Sequence, residues 1–417
     1  MSLSGRVSPP ATVERPAARA ELRSVASGSL VGAPVASGRE VLSEAASWLR
    51  SAGWPVAVYT LSRVVLLAIA GVVSAAGHKT LVDEMSRFDG QWYLRLAAHG
   101  YPNAVVHHQS TLGFFPLYPL LIRAVSWFGS ISLAAGALLI SFAGGLASVV
   151  LVHRLATQWW GERAGRRAAL VFAIFPGSIV FSMAYSEGVA IPLVLGCLLA
   201  LSSERWLVAG LLAGVATAVE PVAMVLIPVA VLASARKLHA AGWGDRSARK
   251  SLLAPLLAPV GVGAFGVFLW AWTGTPFAAY IAQHYGWYQQ SQPLALLRVP
   301  IVKHVLEDPH AILRYLATWN LWNGILGAVF LVISLVALFR VRRELSLGAL
   351  EWTGGMAAIT LWSVTTPPNA RMILIAAPAV LVWARRLRSG KLAIFVGAEL
   401  VLFVLASALT FSGHMLP

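Results

Sequence analysis

Along this chain the hydrophobic positions do not alternate with polar ones; they run on. From residue 55 onward, long stretches of Val, Leu, Ile, Ala and Phe follow one another, divided by short turns rich in Arg, Gly, Pro or Ser. Several reach the roughly 20 apolar residues a helix needs to cross a bilayer. Continuous runs predict helices and argue against membrane strands, which alternate. The predicted spans are 55–76, 131–152, 168–185, 187–202, 206–220, 222–236, 251–275, 316–339, 347–365, 371–384 and 391–412. The shorter ones are compatible with bent hairpins formed by neighbouring pairs. Residues 114–128 are apolar too, but Pro116, Pro119 and Arg123 argue for a re-entrant or interfacial helix.

Residues 1–50 have a different texture, rich in Ala, Ser, Gly, Pro and Arg with few large apolar side chains. Such a segment buries too little surface to offset its ordering entropy, so disorder is expected. It reads poorly as a signal peptide, because the apolar patch near Leu30–Val35 is short and holds Gly and Pro. Val41–Arg50 has the character of a short interfacial helix leading into a multispan domain over residues 51–417.

Basic residues set the topology. With residues 114–128 not crossing and the N-terminus cytoplasmic, 23 of 32 Lys and Arg residues fall in the segments 1–50, 153–167, 203–205, 235–250, 340–346 and 385–391. That is the asymmetry of the positive-inside rule. The fold expected is therefore an all-α integral membrane bundle of about eleven spans, with the N-terminus inside and the C-terminus outside. The loop 77–130, the turn at Tyr185–Glu187, the loop 276–315 and the turn at residues 365–371 then share the outer face.

Composition agrees. Hydrophobic residues are 58% and charged residues 12%, with mean hydropathy +0.73. The net charge of +15 lies in turns between apolar runs rather than in a basic domain, so nucleic acid is not the expected partner. The single cysteine, Cys197, lies in an apolar run and has no partner for an internal disulfide. Arg outnumbers Lys 27 to 5, a bias associated with GC-rich bacterial genomes. No long internal repeat is visible, and Gly144, Gly145, Gly210 and Gly214 suit close helix packing.

The chemistry concentrates in the loop after the first span, Ser86–Tyr101, followed by Phe114–Pro119. It sets Asp89 between Arg87 and Trp92 at a membrane surface. Two roles fit Asp89: N-cap of a short helix ending at Gly100, or a catalytic base. Arg87 fits either an ion pair with Asp83, Glu84 or Asp89, or a clamp on phosphate. Glu187 opens a span where a helix N-terminus favours an acid. Glu220 lies deep by sequence position, where an acid is a candidate functional residue by default. His107 and His108 are adjacent rather than one turn apart, and no HExxH pattern, P-loop or dinucleotide fingerprint occurs. No metal or cofactor is therefore expected, though a divalent metal is not thereby excluded.

Arg87-Phe88-Asp89-Gly90-Gln91-Trp92-Tyr93-Leu94, then His99-Gly100-Tyr101, then Phe114-Phe115-Pro116-Leu117-Tyr118-Pro119 resembles the PIG-V family. That family, GPI mannosyltransferase II and its bacterial relatives, carries R-W-D-x-x-x-Y-L, G-Y and F-F-P-L-[FY]-P in its first outer loop. Phe175-Pro176-Gly177-Ser178, Phe181-Ser182 and Tyr185-Ser186-Glu187 look like its P-[AG]-S-x-x-F-S-x-x-Y-[ST]-E motif. Two departures stand out: Phe88 replaces Trp, and Val219-Glu220-Pro221 stands where the family tends to have Arg. Asn369-Ala370-Arg371 weakly resembles a late P-R-[YF] motif.

The resemblance implies a GT-C glycosyltransferase with an outer-loop acid and a polyprenyl-phosphate sugar donor, the sugar expected from the family being mannose. It implies Asp89 as catalytic base, and Arg87, Gln91, Tyr93, Tyr185, Glu187 and Arg371 as substrate-binding residues. The acceptor would be an extracytoplasmic lipid or glycan, and the location a bacterial plasma membrane. A transporter or flippase of lipid-linked sugars is the competing reading. It predicts mid-membrane polar residues in repeat-related halves, whereas the polar residues here gather on one side. A non-catalytic subunit that keeps the fold is a third.

Overall fold

The computed structural model describes residues 38–289, 318–363, 368–387 and 389–417, with side chains from residue 52 onward. Helices follow one another as α1 (Gly38–Ala76), α2 (Leu81–Met85), α3 (Asp89–His99), α4 (Leu117–Gly129), α5 (Leu133–Trp160) and α6 (Glu162–Ile174). Next come α7 (Glu187–Ser202), α8 (Trp206–Ala216), α9 (Leu226–Ala241), α10 (Arg246–Lys250), α11 (Leu253–Leu257), α12 (Val260–Thr273) and α13 (Ala278–Ile281). The last five are α14 (Trp319–Val341), α15 (Leu347–Trp362), α16 (Ala370–Ile375), α17 (Pro378–Arg386) and α18 (Ser389–Phe411). No β-strand occurs among the described residues.

Six helical stretches are long and apolar enough to cross a membrane: Ala52–Ala76, Leu133–Trp160, Pro221–Ala241, Arg246–Thr273, Trp319–Glu344 and Ser389–Phe411. A seventh arises if α6 and the 3₁₀ turn Pro176–Ser182, bent by 73° at Phe175, form one span. The other expected crossings fall on the shorter helices α7, α8 and α15 and on the interrupted pair α16–α17. The expected helix at 41–50 falls within the bounds of α1. The N-terminal residues 1–37 and most of the loop 276–315 lie outside the described residues.

α5 organises the interior, packing against α4, α6 and α7. It approaches α7 so closely that a side-chain carbon on Gly144 would strike the Gly188 carbonyl, and one on Gly145 would strike Tyr59 and Phe181. Gly210 and Gly214 do the same for α8 against α11. Glycine at these crossings lets backbones meet where apolar surface alone gives helices no reason to associate in lipid.

The loop 77–130 carries helices α2, α3 and α4, as expected of it. In α3 the buried positions Gly90, Tyr93, Leu96 and Ala97 recur at helical spacing and form one face. That face packs on α4, where Tyr93 meets the Tyr118 ring edge-on at 4.9 Å. Gly100 stops the helix at φ 76°, a left-handed conformation that glycine adopts without strain.

The basic segments also find one another. Arg167 donates to the Leu387 carbonyl at 3.3 Å, Arg385 pairs with Glu344 at 2.9 Å and Lys237 pairs with Glu204 at 2.7 Å. Arg163, Arg167, Glu344 and Arg385 line one cavity, the basic end from which α6 and α17 lead. α6 and α17 each run from that basic end toward the segments that hold Tyr185–Glu187 and Arg371.

Candidate active site

Four breaks in regular structure bring the site together. The first is the entry to α3. Phe88 takes the N-cap position with φ 57° and ψ −123°, a conformation rare for a residue with a side chain. Asp89 is therefore the first helical residue, not the cap, and it makes no capping hydrogen bond. This corrects the capping role: the one-residue shift frees the carboxylate to face away from the helix end.

The second break is the bend between α6 and Pro176–Ser182. Phe175 is extended before proline, which disfavours helix there and leaves carbonyls without helical partners. Arg63, from the first span, answers them. It donates to the Ala173 carbonyl (2.9 Å), the Ser178 carbonyl (2.7 Å), Ser178 Oγ (3.0 Å), Ser182 Oγ (3.1 Å) and Ser62 Oγ (3.2 Å). All five guanidinium donors are used. The group lies between the Tyr59 and Phe403 rings, with centroids at 5.0 and 5.6 Å. The sequence reading passed over Arg63. The available signal was a lone arginine within an apolar run, costly in a membrane unless fully partnered.

Beyond this bend the chain reaches Tyr185, Ser186 and Glu187. Two contacts draw the outer loop to it: Ala184 N–H donates to the Met85 carbonyl at 3.0 Å, and Gly90 abuts Ala184 so tightly that a side-chain carbon would lie 3.1 Å from Ala184 Cβ. The third break is at Val219-Glu220-Pro221, where extended Glu220 precedes a short 3₁₀ turn. Leu117 N–H, in the FFPLYP motif, donates to the Ala218 carbonyl at 3.1 Å and fixes this segment beside the loop.

The fourth break opens α16. Asn369 caps it, accepting from Met372 N–H at 2.9 Å, while Asn323 of α14 accepts from Ala370 N–H at 3.2 Å. Gly177 leaves room for the backbone of Ala370 and Arg371. Before Pro378 the helix stops, and Trp352 Nε1 donates to the freed Ile375 carbonyl at 2.9 Å.

Arg371 thus arrives opposite Asp89. Its Nη1 lies 2.7 Å from Asp89 Oδ2 and its Nε 3.4 Å from Glu187 Oε1. The Tyr185 ring lies beneath the guanidinium at 5.4 Å. The Asp89 side chain is 34% exposed and that of Glu187 only 5%, so the cluster opens on the Asp89 side.

A hydrogen-bonded chain adjoins it. Ser186 Oγ donates to Glu220 Oε2 at 3.3 Å and lies 2.7 Å from Tyr93 Oη. Because the one Ser186 proton goes to Glu220, Tyr93 must be the donor to Ser186. The Tyr93 phenol is pushed well above its ordinary pKa by burial and by the carboxylates of Glu187 and Asp89, so it keeps that proton. Glu187 Oε2, Glu220 Oε1 and Arg371 Nε have no hydrogen-bond partner among the described residues. They can accept from, or donate to, the hydroxyls of a polar ligand.

The structure therefore joins Asp89, Tyr185, Glu187 and Arg371, and sets Tyr93, Ser186 and Glu220 beside them as one hydrogen-bonded chain. It does not join Arg87 or Gln91. Arg87 pairs with Glu84 at 2.7 Å and donates to the Phe411 carbonyl at 3.0 Å, which is the ion-pair alternative for that residue. Gln91 is exposed on α3. Among the described residues no three of His, Cys, Asp and Glu group so as to hold a metal ion.

Removing the Arg63 clamp should be costly. Arg63→Leu would strand the buried acceptors and is expected to destabilise the protein by about 3 kcal/mol or more, with Arg63→Lys intermediate. Thermal unfolding of the detergent-purified variants checks this, and an unchanged midpoint in Arg63→Leu would refute the clamp.

The model of the mannosyltransferase (PIG-V) family matches residues 55–290, more than half of the chain and all of the outer-loop motifs. GPI mannosyltransferase 2 of Drosophila pseudoobscura pseudoobscura is 30% identical over 113 residues, 25% of this chain and 24% of that protein. The apo oligosaccharyltransferase of Archaeoglobus fulgidus superposes with a TM-score of 0.52 at 15% identity, covering 86% of this chain and 56% of that one. ArnT of Cupriavidus metallidurans, solved with undecaprenyl phosphate, gives a TM-score of 0.49 at 13% identity, covering 86% and 76%. The likeness to the oligosaccharyltransferase shows a shared fold. This chain spans about a quarter of the fly protein's length and little more than half of the oligosaccharyltransferase's.

Proposed function

This chain belongs to the mannosyltransferase (PIG-V) family, and from that premise we propose that it transfers a sugar, mannose, from a polyprenyl-phosphate donor to an extracytoplasmic lipid or glycan acceptor. One observation carries the reading: the ion pair between Asp89 and Arg371, 282 residues apart in sequence, at 2.7 Å. An acid and a guanidinium at the outer end of an apolar bundle are what a lipid-phosphate sugar requires.

The step follows from those two groups. The donor phosphate takes up Arg371, for which a guanidinium fork is well shaped, and this releases Asp89 from its ion pair. The acceptor hydroxyl attacks the anomeric carbon while Asp89 removes its proton. The new carbon–oxygen bond forms as the bond to phosphate breaks. The electron pair leaves on polyprenyl phosphate, whose charge Arg371 meets. Attack opposite the leaving group turns a β-linked donor into an α-linked product. Glu187 and Glu220 offer free carboxyl oxygens to sugar hydroxyls, and Tyr185 fixes the guanidinium from below.

The deciding experiment incubates purified protein with polyprenyl-phosphate mannose and a membrane lipid extract. A new mannosylated product that Asp89→Asn fails to make supports the reading. No product from wild type, together with movement of lipid-linked sugar across vesicles, would replace it with the flippase reading.

The distribution of basic residues supports an active face outside the cell. In a Cys197→Ala background, Gln109→Cys should react with an impermeant thiol reagent in intact cells and Gly244→Cys should not. Both positions are exposed, so the opposite pattern would invert the topology.

A further inference from the structure

At the basic end of the bundle, away from Asp89 and Arg371, lies a cavity of about 420 Å³. Its lining includes Trp159, Trp160, Arg163, Arg167, Glu344 and Arg385. The turn at Gly161 (φ 84°) between α5 and α6 sets the two tryptophans beside the two arginines that follow. The volume falls in the range of small-ligand sites.

The charges in the lining do not cancel. Glu344 is engaged by Arg385, at 2.9 and 3.3 Å. Glu162, just outside, is engaged by Arg166 at 3.7 Å and His153 at 3.3 Å. Arg163 and Arg167 have neutral partners: Ser389 Oγ at 3.3 and 3.1 Å, and the Leu387 carbonyl at 3.3 Å from Arg167. Neither forms an ion pair among the described residues. Two guanidinium groups thus line one cavity without an anion among the described residues paired to them.

The rest of the lining is what a bilayer interface presents. Trp159 and Trp160 pack edge-to-face at 5.3 Å, and both indole N–H groups are buried and without an acceptor among the described residues. Tryptophan at a span end sits at headgroup depth, its amphipathic ring between the acyl chains and the polar layer. Ala164 and Ala384 complete an apolar edge. Basic pockets between spans on the positive-inside face suit anionic headgroups.

We infer that this cavity is a binding site for the phosphate headgroup of an anionic phospholipid, held by Arg163 and Arg167 and bordered by Trp159 and Trp160. The site is separate from sugar transfer. α6 and α17 pack against each other and lead along the chain to the Glu187 and Arg371 segments, so an occupied headgroup site would brace the helices that carry them.

Native mass spectrometry of the detergent-purified full chain tests this, with phosphatidylglycerol, phosphatidylcholine and inorganic phosphate as probes. Wild type should retain phosphatidylglycerol over phosphatidylcholine. Arg163→Gln with Arg167→Gln should weaken that retention about thirtyfold, from the loss of two interfacial arginines. Arg249→Gln, an exposed basic change outside the cavity, should leave it unchanged. If the double variant does not fold, Arg163→Gln alone, at an exposed position, should still weaken retention severalfold. Equal retention of the two lipids by wild type, or an equal loss in Arg249→Gln, overturns the site. Displacement of phosphatidylglycerol by millimolar inorganic phosphate would identify a soluble phosphate as the occupant and overturn the lipid assignment.

Discussion

Asp89→Asn is expected to lower sugar transfer by about a hundredfold or more while leaving the protein folded. The amide has nearly the shape of the acid but cannot accept the acceptor's proton. The helix should survive, because Asp89 makes no capping bond that the change would remove. Arg371 keeps Glu187 as a partner at 3.4 Å, so its charge is not left alone. Product formation under saturating donor, with thermal unfolding as the folding control, provides the measurement. Near-normal turnover would take Asp89 out of the mechanism. A loss of turnover accompanied by an equal loss of folded protein would assign it to structure instead.

Arg371→Ala is the second large effect, and it should appear in two measurements. Without the guanidinium, Asp89 and Glu187 face each other uncompensated, and Glu187 is buried. Leaving a buried charge without its partner typically costs about 3–5 kcal/mol, so the unfolding midpoint should fall. Donor use should fall as well, because the charge that meets the departing phosphate is gone. Arg371→Lys separates the two effects. It keeps the positive charge and most of the stability but loses the two-pronged geometry, so the donor half-saturation should rise while that of the acceptor stays nearly constant. Equal donor half-saturation in wild type, Lys and Ala forms would refute the phosphate role and leave Arg371 as a structural counter-ion.

Much of the fold could be read from the sequence because the bilayer imposes it. In lipid every backbone polar group must be satisfied within its own segment, so long apolar runs have helix as their outcome. The predicted segments fall on helices, and residues 114–128 do carry a helix of their own, α4. Span ends were less legible. The break at Phe175-Pro176 follows from proline chemistry, but its 73° bend depends on Arg63 arriving from 110 residues away to satisfy the freed carbonyls. A sliding reading of hydropathy sees only the apolar run.

The site divides in the same way. Asp89, Tyr93, Tyr185 and Glu187 stood out because their motifs are local, with short spacings that a sequence preserves. Arg87 stood out for the same reason, yet it pairs with Glu84, three residues earlier on the same segment, and donates to the Phe411 carbonyl. Glu220 was conspicuous as a deep acid, but its link to Tyr93 through Ser186 required three separate segments to meet.

The sequence by itself determined that this is a helical membrane protein with an acid in the loop after its first span and PIG-V motifs around that acid. These properties depend on composition, periodicity and short spacings, which need no knowledge of packing. Only the tertiary structure decided that Arg371 is the partner of Asp89, that Arg63 secures the bend, and that Asp89 is the first residue of its helix rather than the cap. The reason is physical. A contact between residues 282 apart is set by where glycines allow helices to meet and where prolines break them, and one residue with positive φ at Phe88 turns the carboxylate from the backbone to the guanidinium.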